Sequence, residues 1–518
     1  MLIHDPRTCG LALRSGACAL LLATVGCTDL ASPDQRATDG GVGAADSGGQ
    51  GGEWGAGVSG QTGGSAGMSG GSSGGSGTSG GAGDTGGDEP RDSGSNDAGD
   101  DAMAGGGEDG GDGEVTDPEG PIQGRVIDYF DNPVPGALVT LAGETVTTDD
   151  DGAFAFGPTS SRYSIGVGLE VARFGGAEVS GYLFVGVTRR DPTLQIYRGL
   201  PKRSANVTRN VTGVTFPLPS TQKIPMDVAG RYGGFSYPLT SATLTSSGEW
   251  EGPAEVQGHV HAIRYEHAAA EPQLPTSYLA HASQPLALDA SMTSSFTLDL
   301  SSEGPLTAGI ISGTAAGSGI GYRSNGVFVR FEDDAAVQVL SHYTSSDAFS
   351  YLVPAIASSS IAVAAMRNDI SAPPFAVAYV EGIAPGASDV ELAIPAPATL
   401  LSPATAEGGV DGDTVFSWSG PDQVYMFVAD ALDVYENFYV ITTEKNAKLP
   451  VDEVMLPSLR SSFVYEWSVR THRTIATVDD ATGPTGYLDS FCYGRLRGPR
   501  RDSGSHTGSE LRSFTTAP

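Results

Sequence analysis

The feature that most constrains the fold is an alternation of apolar and polar side chains that begins at Pro121. Val139 with Leu141 and Phe154 with Phe156 are examples, and each run is short and bounded by turn-forming residues. Successive side chains of a β-strand point to opposite faces, so a period of two indicates strands with one buried face. The sequence therefore predicts an all-β fold of tandem β-sandwich domains in this part of the chain.

The segment before Pro121 has a composition that cannot form a core. Residues 31–120 hold 32 glycines and 17 acidic residues against two arginines, and they contain no Leu, Ile, Phe or Tyr. Nothing in this composition offsets an ordering cost of roughly 1–2 kcal/mol per residue. We therefore expect residues 27–120 to form a disordered, acidic Gly/Ser/Asp-rich tether, which as a flexible coil would span roughly 50 Å.

The N-terminus has the layout of an export signal. Arg7 and Arg14 precede an uncharged run from Ser15 to Gly26 that ends in small residues, as in a secretory signal peptide. At about 12 residues the run is too short to span ~30 Å of hydrocarbon as a helix. Residues 1–26 are therefore predicted to be a signal peptide, and the rest of the chain to be extracytoplasmic.

The dipeptide Gly26-Cys27 ends this run. It resembles the lipobox of bacterial lipoproteins, in which a small residue precedes a cysteine that is lipidated and becomes the mature N-terminus. The resemblance implies that Cys27 anchors the protein to a lipid bilayer of the bacterial envelope, at the outer membrane or cell surface. Cleavage of an ordinary secretory signal near Ala23 or Gly26 is the alternative.

Residues 121–198 carry five short motifs: Gly124-Arg125-Val126, Pro135-Gly136-Ala137-Leu138-Val139, Thr147-Thr148-Asp149, Gly152-Ala153-Phe154-Ala155-Phe156 and Tyr163-Ser164-Ile165-Gly166-Val167. Together they resemble the carboxypeptidase regulatory-like domain. The resemblance implies a transthyretin-like β-sandwich related to carbohydrate-binding folds. In carboxypeptidases this module accompanies a catalytic zinc domain, whose H-x-x-E or H-E-x-x-H motif is absent from this sequence. The chain is therefore not expected to be a carboxypeptidase.

The middle region, residues 199–394, continues with strand-like runs and is expected to hold one or two further sandwiches. Within it, Asn325-Gly326 lies between Tyr322 and Phe328. An Asn-Gly pair between apolar residues is a strong signal for a two-residue hairpin loop. We therefore predict a hairpin turn at Asn325-Gly326.

Prolines mark the start of the last region, residues 395–518, which has an aromatic signature of its own. Trp418 lies in an early strand-like run, Tyr465 and Trp467 lie in a late one, and Phe514 lies close to the end. This pattern resembles a fibronectin type III or similar immunoglobulin-like domain. The resemblance implies that the chain closes on another β-sandwich.

Acidic turn residues form the first candidate site. Asp128 and Asp131 follow one strand-like run, and Asp149, Asp150 and Asp151 precede another. If the two turns meet at one end of the sandwich, their carboxylates can bind Ca²⁺ at the modest affinity of extracellular modules. Solvated hairpin turns, in which acidic residues are common, are the alternative. No cofactor other than calcium is expected.

Two histidines form the second candidate site. His259 and His261 are two positions apart in a strand-like run, so their side chains lie on one strand face and can share a metal ion. A third ligand would be His267, Glu255 or a distant residue. The alternative is that this face is polar and exposed to solvent, opposite an apolar face that packs in the core.

An arginine-rich stretch near the C-terminus forms the third candidate site and comprises Arg495, Arg497, Arg500 and Arg501. Its positive charge contrasts with the formal net charge of −32 of the chain, and it would suit an anionic glycan or protein partner. A solvated loop is the alternative, because Gly, Pro and Ser dominate around these residues.

Charge and motifs limit the classes of function. From residue 121 onward the chain carries 25 basic and 42 acidic residues, which argues against nucleic acid as a partner. Neither a phosphate-binding Gly-rich loop nor a nucleophile elbow in a strand–turn–helix context occurs, so no enzyme activity is expected. We expect a lipid-anchored protein that acts by binding, with carbohydrate as the preferred ligand. The alternatives are a structural role in an envelope assembly and a hydrolase or metalloenzyme within residues 199–394.

Overall fold

The computed structural model describes residues 120–484 and 503–518, except for 174–175, 198–199, 302–303, 318–322, 334, 369–372, 433, 435, 452, 455–458 and 473–474. The described residues form 31 strands and one helical turn. The chain is therefore nearly all β, which confirms the predicted fold class. The predicted signal peptide and tether lie outside the described residues, and all described residues belong to one unit of the chain.

The first sandwich contains β1 (Gly120–Asp128), β2 (Leu138–Leu141), β3 (Glu144–Thr147), β4 (Ala153–Thr159), β5 (Tyr163–Arg173), β6 (Gly176–Val187) and β7 (Thr193–Ile196). The sheet β4-β1-β7 packs on the strands β6-β5-β2-β3. The alternating residues of the sequence, such as Val139, Phe154 and Ile165, are buried between the two sheets. Burial of one face is what the period of two predicts.

The second sandwich contains β8 (Lys202–Thr212), β9 (Gln222–Lys223), β10 (Pro225–Gly230), β11 (Gly233–Pro238), β12 (Thr243–Glu251), β13 (Glu255–His267), β14 (Pro275–Asp289) and β15 (Thr293–Asp299). The sheet β12-β8-β15 packs on β11-β10-β13-β14, and β9 pairs with one end of β13. Val260 and Ala262 of β13 face this core. The opposite face of β13 is therefore available to a second layer.

The third sandwich contains β16 (Ala308–Gly317), β17 (Arg323–Phe331), β18 (Ala336–Tyr343), β19 (Ala348–Pro354), β20 (Ser359–Arg367), β21 (Phe375–Ile383) and β22 (Val390–Ile394). The sheet β19-β16-β22 packs on β18-β17-β20-β21. Its core extends to Ile263, Tyr265 and Tyr278 of the second sandwich. The face of β13 that carries the histidines thus lies against the third sandwich rather than against solvent.

The fourth sandwich contains β23 (Thr399–Ser402), β24 (Glu407–Val410), β25 (Phe416–Ser419), β26 (Tyr425–Ala431), β27 (Glu436–Thr442), β28 (Asn446–Ala447), β29 (Val464–His472), the helical turn α1 (Val478–Ala481), β30 (Gly504–Gly508) and β31 (Arg512–Thr516). The sheet β23-β25-β28 packs on the layer that contains β26, β27, β29 and β31. Trp418, Tyr465, Trp467 and Phe514 meet in this core and are almost completely buried. The aromatic signature of the sequence therefore marks one hydrophobic core.

One sheet runs through three of the four sandwiches. Its order is β18-β17-β20-β21-β30-β29-β26-β27-β6-β5-β2-β3, and it also includes β24 and β31. Strand β21 pairs antiparallel with β30, and β27 pairs in parallel with β6. Strands of the fourth sandwich therefore lie between those of the third and the first. The domain boundaries drawn from the sequence stay a prediction.

The predicted hairpin turn at Asn325-Gly326 is wrong. Both residues lie inside β17, where they pair with β18 on one side and β20 on the other. The ring of Phe328 lies so close to Gly326 that a Cβ added there would be 2.9 Å from it. Tertiary pairing has overridden the local preference of the dipeptide, because a central strand offers hydrogen bonds on both edges.

No helix in the described part of the chain is long and apolar enough to span a membrane.

Candidate functional site

Several predicted site residues lie outside the described residues. These are the lipidation residue Cys27 and the arginine stretch Arg495, Arg497, Arg500 and Arg501. Lipid anchoring and binding by this stretch therefore stay predictions.

The acidic turn after β1 has a structural role. Asp128 is 1% exposed, and its Oδ1 accepts hydrogen bonds from the backbone N–H groups of Phe130 and Asn132 at 2.8 and 2.9 Å. The Asn132 side-chain amide donates to the same carboxylate. Asp131 follows in the left-handed region, with φ 58°, which Asp tolerates better than most residues. The Asp128 carboxylate therefore organises its own turn.

This turn also joins two sandwiches. Nε and Nη2 of Arg231, in the β10–β11 hairpin, donate to the Phe130 carbonyl at 2.9 and 2.6 Å. The Tyr232 hydroxyl donates to Asn132 Oδ1 at 3.1 Å, and its ring lies 5.2 Å from that of Phe130. The residues predicted to bind calcium are thus next to a contact between the first and second sandwiches.

The second acidic turn is exposed. Asp149 Oδ1 accepts from the N–H groups of Asp151 and Ala153 at 3.0 and 2.8 Å. Asp150 and Asp151 are exposed beside it. Among the described residues no group of three or more His, Cys, Asp or Glu has an arrangement that could hold a metal ion. Turn formation accounts for the contacts that Asp128 and Asp149 make.

The two predicted histidines belong to a larger cluster between the second and third sandwiches. His261 Nε2 lies 2.7 Å from Asp333 Oδ2, and His261 Nδ1 lies 3.2 Å from His281 Nε2. His259 Nδ1 is 3.4 Å from the same Asp333 oxygen. The Phe331 ring stacks on His261 and His281, with centroid distances of 3.8 and 5.0 Å. These five side chains are called the histidine cluster below.

Burial and neighbouring charges give the residues of the histidine cluster different protonation states. Burial lowers the pKa of His281 to about 4, and the neighbouring His261 adds to this effect. Burial would raise the pKa of Asp333, but the hydrogen bond and charge of His261 outweigh it and lower the pKa below its ordinary value. The cluster therefore combines a neutral His281 with an ionised Asp333 at pH 7.

The sequence pattern finds only two of the five residues of this cluster. The period of two places His259 and His261 on one face, as predicted. His281 comes from the neighbouring strand β14, and Asp333 from the connection between β17 and β18. Neither His281 nor Asp333 is one of the third ligands predicted from the sequence, which were His267 and Glu255. No local sequence signal marks His281 or Asp333. His267 is buried at the far end of β13, with Nδ1 2.8 Å from the Ala268 carbonyl.

The contacts of His261 limit what the cluster can do chemically. Both of its ring nitrogens lie within hydrogen-bond distance of a protein atom, so a metal ion would have to displace Asp333 or His281. A Ser-His-Asp arrangement requires a hydroxyl nucleophile beside the imidazole. In the described cluster, His281 and not a hydroxyl group lies beside the second ring nitrogen of His261. The geometry is that of a polar contact between two domains.

The first sandwich carries an open cleft of a size that suits a small ligand. It has a volume of about 730 Å³ and lies along β1 and β4. Its polar lining includes Gln123, Arg125, Asp149, Arg189 and Asp191. We call it the β1–β4 cleft.

The side chains of the β1–β4 cleft are held to different degrees. Arg189 is fixed by an ion pair with Asp191, with Nη2 2.8 Å from Oδ1, and by a hydrogen bond from Nη1 to the Asp479 carbonyl. Arg125 is exposed, and its Nε donates to Thr193 Oγ1 at 3.4 Å. Gln123 is also exposed. Donors and acceptors therefore line the cleft together, and Asp149 is the one predicted site residue that contributes to it.

Comparisons with known proteins give no family. No family model matches the chain, and no curated protein matches it. Among solved structures, the Bacillus anthracis TIE protein is 10% identical with a TM-score of 0.14, over 53% of this chain and 50% of its own. The match therefore spans half the length of that protein.

Two further structures are similar at the same level. A candidate adhesin from Bacteroides ovatus is 9% identical with a TM-score of 0.13, over 37% of this chain and 92% of its own. BcpA, the major pilin subunit of Bacillus cereus, is 8% identical with a TM-score of 0.12, over 52% of this chain and 89% of its own. Likenesses this low carry no argument about the function of this chain.

Proposed function

We propose that this protein is an exported binding protein of the cell surface whose first sandwich takes a carbohydrate ligand in the β1–β4 cleft. The observation that carries the proposal is the lining of that cleft. Guanidinium, amide and carboxylate groups line a single concavity of about 730 Å³ there. Few, convergent polar groups in a largely preformed concavity are the usual form of a small-ligand site.

The chemistry of the lining favours a ligand with many hydroxyl groups. A hydroxyl is both donor and acceptor. Arg125 and Gln123 offer exposed donors, whereas Asp149 and Asp191 are exposed carboxylate acceptors. Because cations and anions alternate in the cleft, a ligand with a large charge of one sign would meet repulsion at some of these groups. A neutral sugar would not.

The remaining predictions complete this proposal. Lipidation at Cys27 would hold the protein on the membrane, and the acidic tether would carry the sandwiches away from it. Calcium bound by Asp128, Asp131 and the 149–151 turn would stiffen one wall of the cleft. The stretch around Arg495 would add contacts to an anionic partner. Action by binding rather than by catalysis is part of the same proposal.

A glycan array tests this function on the purified full chain, in calcium and in EDTA. We expect binding to one class of neutral sugar, and we expect Arg125→Ala and Gln123→Ala each to weaken it about tenfold, since a lost hydrogen bond to a charged or polar group costs roughly 1–2 kcal/mol. Arg203→Ala is the matched control, because Arg203 Nε also makes a 3.4 Å hydrogen bond, to Gly252, on another sandwich.

Two results would overturn the proposal. The first is the absence of sugar binding under all conditions, which would favour a structural role in an envelope assembly. The second is sugar binding that Arg125→Ala and Arg203→Ala affect equally, because the β1–β4 cleft would then not be the site.

A further inference from the structure

The loop that joins β6 to β7, residues 188–193, forms one wall of the β1–β4 cleft. Its residues that line the cleft are Arg189, Asp191, Pro192 and Thr193. On one side the loop backbone continues the sheet, because the Arg125 N–H of β1 donates to the Pro192 carbonyl at 3.0 Å. The position of the wall therefore depends on what holds the other side of the loop.

That other side is held by α1. The Asp479 Oδ1 atom accepts hydrogen bonds from the backbone N–H groups of Thr188 and Arg189 at 2.7 and 3.1 Å. The Thr188 hydroxyl donates to Oδ2 of the same carboxylate. One side chain thus binds three donors of the loop, although it lies about 290 residues later in the sequence.

The same helical turn also places two charged side chains of the cleft. Arg189 Nη1 donates to the Asp479 carbonyl at 3.3 Å. Nε and Nη2 of Arg189 lie 3.0 and 2.8 Å from Asp191 Oδ1. At the end of the loop, the Thr193 N–H donates to the Thr482 carbonyl at 2.7 Å. Arg189 is therefore fixed by α1, and Asp191 is fixed by Arg189.

The helical turn α1 is well anchored itself. Val478 and Ala481 are buried in the core of the first sandwich, with exposures of 3% and 0%. The Thr477 hydroxyl accepts from the Asp480 N–H at 3.1 Å, and the Asp480 carboxylate accepts from the Thr477 N–H at 2.9 Å. This reciprocal pair is a capping box, which fixes the start of the turn. Asp479 is thus held against the first sandwich although it follows β29 of the fourth.

The Asp479 carboxyl is ionised at neutral pH. Burial would raise its pKa, but the hydrogen bonds from Thr188 and Arg189, with the charge of Arg189, outweigh burial and lower the pKa below its ordinary value. Hydrogen bonds to an ionised acceptor are roughly twice as strong as those between neutral groups. The carboxylate is therefore suited to order the loop in the absence of a ligand.

We propose that Asp479 is a positioning residue of the β1–β4 cleft, which orders the loop of residues 188–193 before a ligand binds. It acts through Arg189 and Asp191 rather than by touching the ligand. A site whose side chains are already ordered loses less conformational entropy on binding, so its affinity is higher. The effect on sugar affinity rests on the proposed function, whereas the ordering of the loop does not.

Amide hydrogen exchange of the full chain without sugar tests the ordering, and an array of printed neutral glycans tests the affinity. We expect Asp479→Ala to make the peptide that contains Thr188 and Arg189 exchange at least about tenfold faster. We expect the same variant to weaken glycan binding about tenfold, because Arg189 and Asp191 must then be ordered on binding. Asp479→Asn keeps Oδ1 as an acceptor, so it should restore most of both properties.

Two further variants complete the test. Asp289→Ala is the matched control, because Asp289 Oδ1 accepts from the N–H and the hydroxyl of Ser291 at 2.8 and 2.7 Å, but on the second sandwich. It should change neither the exchange of the loop nor glycan binding. Thr188→Val removes the hydroxyl donor to Asp479 and serves if Asp479→Ala does not fold.

The outcomes separate this inference from the carbohydrate proposal. Unchanged exchange of the loop in Asp479→Ala would overturn the positioning role, and so would equal effects of Asp479→Ala and Asp479→Asn. Faster exchange with unchanged glycan binding would also overturn it. If the unaltered chain binds no printed glycan, the carbohydrate proposal alone fails, and the exchange of the loop still decides whether Asp479 orders it.

Discussion

The Nε2 atom of His261 lies 2.7 Å from the Oδ2 atom of Asp333, and this pair joins the second sandwich to the third. The contact is reinforced nearby, where the Ala336 N–H donates to Asp227 Oδ2 at 3.0 Å and the Tyr278 hydroxyl donates to the Leu352 carbonyl at 2.9 Å. Polar contacts and the shared apolar core thus act on the same interface. They fix the relative position of two domains that are consecutive in the chain.

Replacing Asp333 should weaken this interface. Asp333→Ala leaves the buried His261 ring without its carboxylate partner, and we expect the free energy of unfolding to fall by about 1–3 kcal/mol. Urea unfolding followed by tryptophan fluorescence measures the change. Asp413→Ala is the matched control, because Asp413 forms an exposed pair with Lys448 and its replacement should have no measurable effect. Equal effects of the two variants would show that the His261–Asp333 pair is not a structural contact.

The stability of the protein should fall as the pH is lowered from about 6.5 to about 4. Burial lowers the pKa of His472 to about 4, and burial, with the charges of His472 and Arg470, lowers that of His506 well below its ordinary value. The unfolded chain takes up these protons near pH 6.5, before the folded chain does. The contribution of both residues is therefore complete above that pH and is lost progressively below it.

His472→Gln tests this dependence. It removes the titrating group but can still make a hydrogen bond near the Tyr379 hydroxyl, which lies 3.3 Å from His472 Nε2. We expect the difference between the unfolding midpoints at pH 8 and pH 5 to shrink in the variant. An unchanged difference would mean that His472 is protonated equally in the folded and unfolded chains.

Gly508→Ala should destabilise the junction between β21 and β30. A Cβ at Gly508 would lie 2.3 Å from the ring of its strand partner Phe375. Such overpacking typically costs about 1–3 kcal/mol. Gly412→Ala is the control, because nothing lies within 4 Å of a Cβ there. We expect Phe375→Leu to restore part of the loss in the double variant, and a simple sum of the two losses would contradict the steric explanation.

Calcium dependence distinguishes the two interpretations of the acidic turns. Asp128→Ala leaves the N–H groups of Phe130 and Asn132 without their acceptor, so we expect a loss of about 1–3 kcal/mol in EDTA as well as in calcium. Asp150→Ala should change stability in neither condition if the turns are structural. Stabilisation of the unaltered protein by millimolar calcium, abolished by Asp150→Ala, would establish the metal site instead.

The local alternation of apolar and polar residues predicts most of the fold, but it predicts few of the residues in the candidate sites. The strands predicted around Phe154, Ile165 and Tyr465 are present. Alternation of apolar and polar residues reflects burial of one strand face, which is a local property. The turn predicted at Asn325 is absent, because strands far apart in the chain pair on both sides of it.

The candidate sites depend on contacts between residues far apart in the sequence, which the alternation of apolar and polar residues does not predict. Asp333 reaches His261 across 72 residues, and Asp479 reaches Thr188 across 291 residues. Each of these residues is unremarkable in its own segment. Only the three-dimensional fold brings them together.

The order of strands in the long sheet has a consequence for synthesis. Strand β6 finds its partner β27 about 260 residues later in the chain, and β21 finds β30 only in the last 15 residues. A chain emerging from its N-terminus therefore presents an unpaired edge at β6 until β27 arrives and an unpaired edge at β21 until β30 arrives. Such edges promote pairing with other chains. A protein cut short after the third sandwich would keep both edges permanently. The strands of the fourth sandwich thus protect the exposed edges of the first and third sandwiches from self-association.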